Sequence, residues 1–545
     1  VATIPGSSQG STHSSATPNT TQAPHSRGRS PLRFRINHAI ALSIALFAFA
    51  TFTYVSVYQW RNFVSPSWDL GIFTQLVDQY SHFRAPIVDI KGPGFNLLGD
   101  HFHPILVLLA PIYRLFPSGL TLLVVQNALF ALASYPITRY ACARFGNVAG
   151  AFIGFAGAFS WGLHTAVVAQ FHEIAFAVPL ISFGLIAWLE GRYFRAATYL
   201  GALVFVKEDM GLTLMAFVAV PPLITLRSSR GSLRERFAVL RSRLSNRSSG
   251  WLTPERLGIL LGCWGLLWVL LSVFVVLPMF NTAGQWDYYG RFDGNDSGLF
   301  AHFSTKMTTV FTLVLTMGAV GTISPFALLI LPTLAWRFLG NIPYYWGTDW
   351  HYSAILMPIA MVALIDALQY VTSFSQAVTS QTSHHNPQLP ATTTGAGLPA
   401  TTPQTGAPPS KYLRKNTIFA TCCALVSLLP SATWATQQGV IPLLRGVNPE
   451  LSSKQRLSAR SSVEAVPQGA KVVTDIYMLA YLVPGRTVFW EGTVQGTPVD
   501  YVVFSPHSNH GNGENVLDWA RQTFGGDWKI VYDENGYVVV RRLLP

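Results

Sequence analysis

A chain of 545 residues that is 50% hydrophobic and only 11% charged cannot cover a water-soluble surface, which usually draws on about 25% Asp, Glu, Lys and Arg. An aromatic content of 13% and only four cysteines exclude a coiled coil, a disordered chain and a disulfide scaffold, leaving an α-helical polytopic membrane protein. The net charge of +12 is not a nucleic-acid signal, because its basic residues gather in loops between apolar spans, the positive-inside pattern.

In chain order, residues 1–37 are rich in Ser, Thr and Pro and carry Arg27, Arg29, Arg33 and Arg35 with no acid. Such a segment cannot bury a core and is expected to be a disordered cytoplasmic tail. The first apolar span, about 38–60, reads as an uncleaved anchor. A large loop, 61–103, follows it. Further apolar stretches lie near 118–138, 147–165, 174–190, 195–206, 210–226, 257–280, 306–322, 325–339, 353–372 and 416–434. A spanning helix needs about 20 apolar residues, so about eleven transmembrane helices are expected, with 195–226 and 306–339 each readable as one bent helix or two.

Residues 227–256 hold eight Arg against Glu235 and Glu255. Residues 373–415 form a low-complexity linker, rich in Thr and Pro, that ends in Lys411, Arg414 and Lys415; His384 and His385 within it are a weak metal hint. With the amino terminus inside, every basic segment lies in the cytoplasm. Loop 61–103 and residues 435–545 then lie outside, the orientation of a multi-pass membrane protein. In the tail, Lys471–Asp475, Asp500–Phe504 and Trp528–Tyr532 read as strands, 514–524 as a helix and Asn535-Gly536 as a hairpin turn. This is a small extracytoplasmic α/β domain with no Gly-rich phosphate loop. Cys142, Cys263, Cys422 and Cys423 fall in or beside apolar spans and suggest neither disulfides nor a zinc site.

Five polar clusters fall on the outer side of this map: Trp68-Asp69; Asp100-His101-Phe102-His103; His172-Glu173; Lys207-Glu208-Asp209; and 344–352, which includes Asp349 and His351. The basic loops that fix the map share no residue with them. Ionisable groups near a bilayer need partners or a watery cavity, and one outward-facing cavity accounts for all five. Each also has a plainer explanation. Trp and Tyr belong to interfacial belts; Lys207, Glu208 and Asp209 can pair among themselves; His101 and His103 can cap the helix starting at Pro104; His172 and Glu173 can form a solvated loop pair.

The segments SWDLGIFTQLVDQY, KGPGFNLLGDHFHPILVLLAP, FHEIAFAVPL, LVFVKEDMGL, LPTLAWRFLGNIPYYWGTDWHYSA and VVTDIYMLAYLVPGRTVF resemble the bacterial domain-of-unknown-function 2079 family of membrane proteins, over roughly 38–370 and 416–545. That family is similar in layout to the C-type (GT-C) glycosyltransferase superfamily. The resemblance implies many spans, a large first outer loop with an essential acid near its start, and an outer globular tail. It also implies a polyprenyl-phosphate-linked sugar as donor. It places Asp69 at the acidic position.

The residues suit that chemistry independently. Taking a proton from an acceptor hydroxyl needs a base such as Asp69. The departing phosphate needs positive charge, for which Lys207, held by Glu208 or Asp209, is the candidate, with His101, His103 and His351 as further donors. A divalent metal, Mg or Mn, bound by Asp100, His101 and His103 is the alternative source of charge. The expected partners are membrane lipids, the lipid-linked donor and a cell-envelope glycan or lipid acceptor, with no nucleic acid. The rival is a transporter or flippase of lipid-linked precursors, which calls for internal repeats and midplane sites not visible in the sequence. A third is an assembly or sensor protein acting through its tail, which leaves the five clusters without a common purpose.

Overall fold

The computed structural model describes residues 31–63, 68–245, 253–285, 288, 290, 298, 300–383, 410–437, 451–494 and 496–543. His384, His385 and most of the expected tail and linker lie outside them. Helix α1 (Pro31–Asn62) has 32 residues. At 1.5 Å per residue it is about 48 Å long, more than a hydrocarbon core of about 30 Å. After α2 (Trp68–Ser81) the chain reaches α3 (Gly119–Phe145), whose first turn is capped by Ser118, and Gly146 at φ 87° turns it directly into α4 (Asn147–Ala158).

The α3–α4 hairpin is tight because small residues meet across it. A Cβ on Gly154 would lie 2.1 Å from Thr138 Oγ1, and one on Gly150 2.3 Å from the Cys142 nitrogen. Pairs of small residues spaced by four let helices approach closely where no hydrophobic force drives them together. Beyond these, α5 (Met210–Phe217) and α6 (Pro254–Leu271) pack side by side, while α7 (Leu356–Ser383) packs against α3 and the helix Ala177–Leu189, and α8 (Ser410–Gln437) against α4 and the helix Phe303–Thr316. From Leu356 to Ile365 every apolar side chain of α7 is buried, which makes it the central strut of the bundle.

The two ends of the bundle differ. Helix α1 runs from Arg33 and Arg35 to Trp60, whose ring lies 2.9 Å from the Cβ position of Gly119, where α3 begins. At the far end of α3, beside Arg144, the Phe145 carbonyl accepts from Thr417 Oγ1 at 3.1 Å, about two turns into α8 and two residues after Lys415. Toward this basic end the ion pairs Arg139–Glu190 and Arg227–Asp366 are buried or half-buried. The other end carries the aromatic and mixed-charge residues.

Among the described residues, seven helices are long and apolar enough to cross a membrane, and three shorter apolar helices occur at Pro104–Leu115, Glu173–Leu189 and Pro325–Leu339. Several of the expected spans are thus shorter or more broken than the apolar stretches that suggested them. The stretch 195–206 breaks into Tyr193–Gly201 and a 3-10 turn, Ala202–Phe205. The stretch 306–322 stops at Thr316, because Gly318 and Ala319 take positive φ. The helix starting at Pro104, just after loop 61–103, is one of the shorter apolar helices.

The C-terminal region folds as a five-stranded sheet of β1 (Lys471–Thr474), β2 (Thr487–Trp490), β3 (Tyr501–Phe504), β4 (Trp528–Glu534) and β5 (Tyr537–Arg542), in the order β2-β1-β3-β5-β4. Strand β1 is parallel to β2 and β3, while β5 runs antiparallel to β3 and β4. Asn535 and Gly536, at φ 50° and 84°, make the β4–β5 hairpin, the pair of positive φ values that a two-residue turn of this hand requires. Helix α9 (Leu479–Leu482) and helix α10 (Gly513–Phe524) cover opposite faces. All four cysteines are free.

This domain is docked on α2. A Cβ on Gly71 would lie 2.7 Å from Leu479 Cβ, so only glycine allows α2 and α9 this close. Gln75 Nε2 donates to the Val488 carbonyl at 3.0 Å, and its Oε1 accepts from the Ile90 nitrogen at 3.0 Å. Tyr481 stacks on Trp60 at 4.1 Å and donates to its carbonyl.

Candidate functional site

A cavity of about 1210 Å³ opens at the end of the bundle opposite the basic residues, and members of all five sequence clusters line it. Asp69, Asp100, His101, His103, His172, Glu173, Lys207, Glu208, Asp209, Asp349 and His351 all reach it. They come together from five separate stretches, so the convergence is a property of the fold rather than of chain proximity.

Asp69 sits in the first turn of α2, beside Trp68, with its side chain 46% exposed and Oδ2 3.3 Å from His172 Nε2. His172 is held from behind. Its backbone nitrogen donates to Gln126 Oε1 at 3.0 Å, and its Nδ1 donates to the Gln170 carbonyl at 3.2 Å. Gln126 Nε2 donates to the same carbonyl at 3.0 Å. Gln170 has φ 70°, an uncommon conformation for a non-glycine residue, and that turn aims the imidazole at Asp69. Because a carbonyl only accepts, Nδ1 carries a hydrogen and Nε2 is the nitrogen turned toward the carboxylate. The His172 ring also stacks on His351, with centroids 3.4 Å apart.

Lys207 is paired with Glu173, Nζ to Oε1 2.9 Å, not with Glu208 or Asp209 as the sequence suggested. Burial alone would lower its pKa, but Glu173, Glu208 and Asp209 around it hold it well above the usual lysine value. Glu208 turns the other way. Its Oε1 meets His101 Nδ1 at 2.7 Å and its Oε2 accepts from the Phe102 nitrogen at 3.0 Å. The three consecutive residues follow the 3-10 turn at 202–205 and precede α5, so successive side chains diverge. Asp209 Oδ1 has no hydrogen-bond partner among the described residues. Burial pushes this carboxyl up to about 6, with Lys207 opposing and Glu208 and Glu173 adding to the shift.

The proposed metal set does not assemble. Asp100 is taken by Lys91 Nζ at 3.1 Å and by Tyr288 Oη at 3.1 Å, and His101 by Glu208. His103 lies edge-on to Phe73, and burial lowers it to about 4, keeping it neutral. Among the described residues no three His, Cys, Asp or Glu side chains are grouped to hold a metal. The residues present do not fit a divalent ion, and no step is routed through one.

The aromatic segment 344–352 is shaped by a residue the sequence reading passed over. Buried Arg337 donates from Nε to the Tyr345 carbonyl at 2.7 Å, from Nη2 to the Gly347 carbonyl at 2.6 Å and from Nη1 to Ser353 Oγ at 3.1 Å. This fork fixes the loop that presents His351 and Asp349. Burial takes His351 well below the usual histidine value, so it is neutral. Gln126, Gln170, Lys91, Trp434 and Ile476 were also missed, since none belongs to a polar cluster in sequence. The cavity therefore has six carboxyl groups, counting Asp349, against two amines, Lys91 and Lys207, with aromatic rings at its rim.

No curated protein matches the chain significantly. Among solved structures, ArnT from Cupriavidus metallidurans bound to undecaprenyl phosphate is 12% identical with a TM-score of 0.49, the match covering 94% of this chain and 99% of that one. The same protein in the apo state is 13% identical at 0.48, covering 93% and 97%. The Archaeoglobus fulgidus oligosaccharyltransferase in the apo form is 11% identical at 0.42, covering 89% and 71%. At the level of sequence, residues 59–539 match the family described as predicted membrane protein (DUF2079), and the chain belongs to that family.

Proposed function

We propose that the protein is a membrane glycosyltransferase that moves a sugar from a polyprenyl-phosphate donor to a cell-envelope glycan or lipid on the outer face of a bacterial plasma membrane. The observation that carries this reading is the Asp69–His172 pair, a half-exposed carboxylate backed by an oriented imidazole at the mouth of a large cavity. In the reaction, Asp69 takes the proton of the acceptor hydroxyl as that oxygen bonds to the anomeric carbon. The bond from that carbon to the phosphate oxygen breaks, and the lipid phosphate leaves with the electron pair. His172 Nε2, 3.3 Å from Asp69 Oδ2, is within reach to share the proton. Lys207 and Lys91 face the charge that develops on the phosphate.

The sidedness rests on the basic end of the bundle, which the positive-inside rule assigns to the cytoplasm. A lipid donor suits the setting, because its chain stays in the bilayer while its head group enters the cavity. The test is single-turnover transfer by purified protein offered a panel of polyprenyl-phosphate sugars and envelope glycans. Release of polyprenyl phosphate coupled to a new glycosidic bond supports the reading. Movement of an intact lipid-linked sugar across vesicles with no bond made would replace it with the flippase alternative.

A further inference from the structure

The C-terminal sheet carries a topological switch point that the reaction above does not use. Strand β1 leads into α9, on the face formed by Val472, Val488 and Val503, while β3 leads toward α10, on the opposite face with Val473, Val502 and Phe504. Adjacent parallel strands whose connections leave to opposite faces open a crevice at their carboxyl ends. In open α/β sheets that crevice is where ligands bind.

The crevice is built from specific groups. Asp475, just past β1, accepts from the Ser505 nitrogen through Oδ2 at 2.6 Å and from the Tyr477 nitrogen through Oδ1 at 2.9 Å. It thus ties the ends of β1 and β3 together and sets the shape of the opening. The Tyr477 ring stacks on exposed His507 at 4.5 Å and 25°. At the end of β2, Glu491 pairs with His510 Nε2 at 2.6 Å. Ile476, between Asp475 and Tyr477, lines the large cavity, and Trp490 at the end of β2 packs edge-on against Trp68, next to Asp69. The crevice therefore adjoins the cavity mouth on the Asp69 side.

The groups select the ligand class. The loop 475–478 holds no glycine and leads into a four-residue helix, so it offers no phosphate cradle. The carboxylates Asp475 and Glu491 disfavour anions. A flat aromatic–imidazole stack beside a carboxylate–imidazole pair suits a neutral ring with an apolar face and a rim of hydroxyls. We propose that this crevice binds the carbohydrate part of the acceptor, with one pyranose ring on the Tyr477–His507 stack and its hydroxyls bonded by the Glu491–His510 pair. The term acceptor rests on the glycosyltransferase reading; the carbohydrate chemistry rests on the crevice.

The test uses the purified full chain and two separate binding measurements. Saturation-transfer NMR reads binding of mannose, arabinose and N-acetylglucosamine oligomers, and native mass spectrometry reads binding of undecaprenyl phosphate. At least one oligomer is expected to bind. Tyr477→Ala and His507→Ala are expected to weaken it by about tenfold, Tyr477→Phe to retain it, and all three to keep undecaprenyl phosphate binding. Absence of oligomer binding by the wild type, or equal binding by the two Ala variants, overturns the crevice. Oligomer binding that depends on Tyr477 in a protein that ignores undecaprenyl phosphate supports the crevice and removes the donor assigned above.

Discussion

At the scale of single residues, exposure and partner set one carboxylate of the cavity apart from the others. Asp69 is half exposed and faces one imidazole, whereas Glu173 and Glu208 are buried in ion pairs. Asp69→Asn keeps the shape and one accepting oxygen but loses basicity. Single-turnover transfer is expected to fall by about 10²-fold or more with donor binding unchanged. If Asp69 only caps α2, the Asn variant matches wild type, since Asn caps as well as Asp. Lys207→Met is expected to lower thermal stability, because it strands the buried Glu173 carboxylate; breaking a buried pair typically costs about 3–5 kcal/mol. The double variant Lys207→Met with Glu173→Gln is expected to recover stability and still bind undecaprenyl phosphate weakly. Strong binding by the double variant would remove Lys207 from the phosphate site.

Asp209 gives a pH signature. Its carboxyl is raised to about 6 from an ordinary value of 3.8, so between those values the folded protein holds a proton that the unfolded chain has released. Stability from this group is full below pH 4 and is lost as pH rises through 6. Asp209→Asn removes the loss. Its melting temperature in detergent is expected to exceed wild type at pH 7–8 and to match it near pH 4. An equal difference at both pH values would show that Asp209 does not titrate in this window.

At the scale of elements, close helix contacts decide where side chains point. Helix α2 reaches the C-terminal domain only because Gly71 has no side chain against Leu479. Gly71→Val is expected to undock the domain and to raise hydrogen exchange in 69–81 and 479–490, with the α3–α4 hairpin unaffected. Unchanged exchange would show that the gap closes by other means.

The same elements show what the sequence made legible. Polar residues interrupting apolar spans stand out by composition, so Asp69, His172, Lys207 and their neighbours were visible. Their partners were not. Glu173 and Lys207 lie on different turns and meet only through packing, and Lys207, Glu208 and Asp209 looked self-sufficient because they are adjacent. Arg337 was passed over, although its neutral oxygen partners make it the clamp of the aromatic loop. Strand β2, TVFW, was missed because its three consecutive apolar residues, Val488 to Trp490, show no alternation, and burial on both faces removes it.

At the scale of the whole molecule, the helices share one polarity, with basic residues at one end and the cavity at the other. In a cysteine-free background, Ser242→Cys is expected to resist a membrane-impermeant thiol reagent on intact cells, while Asn509→Cys reacts. Reaction at 242 and protection at 509 would invert the molecule and place the cavity in the cytoplasm.

The docking of α2 also imposes an order on manufacture. Gln75, six residues after Asp69, completes its hydrogen bonding with Val488, 413 positions later in the chain. At about 5–20 residues per second of synthesis, Asp69 waits roughly 20–80 s before the surface that holds its helix exists. A ribosome-bound chain that has already inserted its first spans therefore lacks the surface that completes the cavity mouth. On the proposed reading, the nascent protein stays inert until its last domain has closed back onto its first loop, and a chain ending before residue 479 is expected to insert, bind no acceptor and transfer nothing.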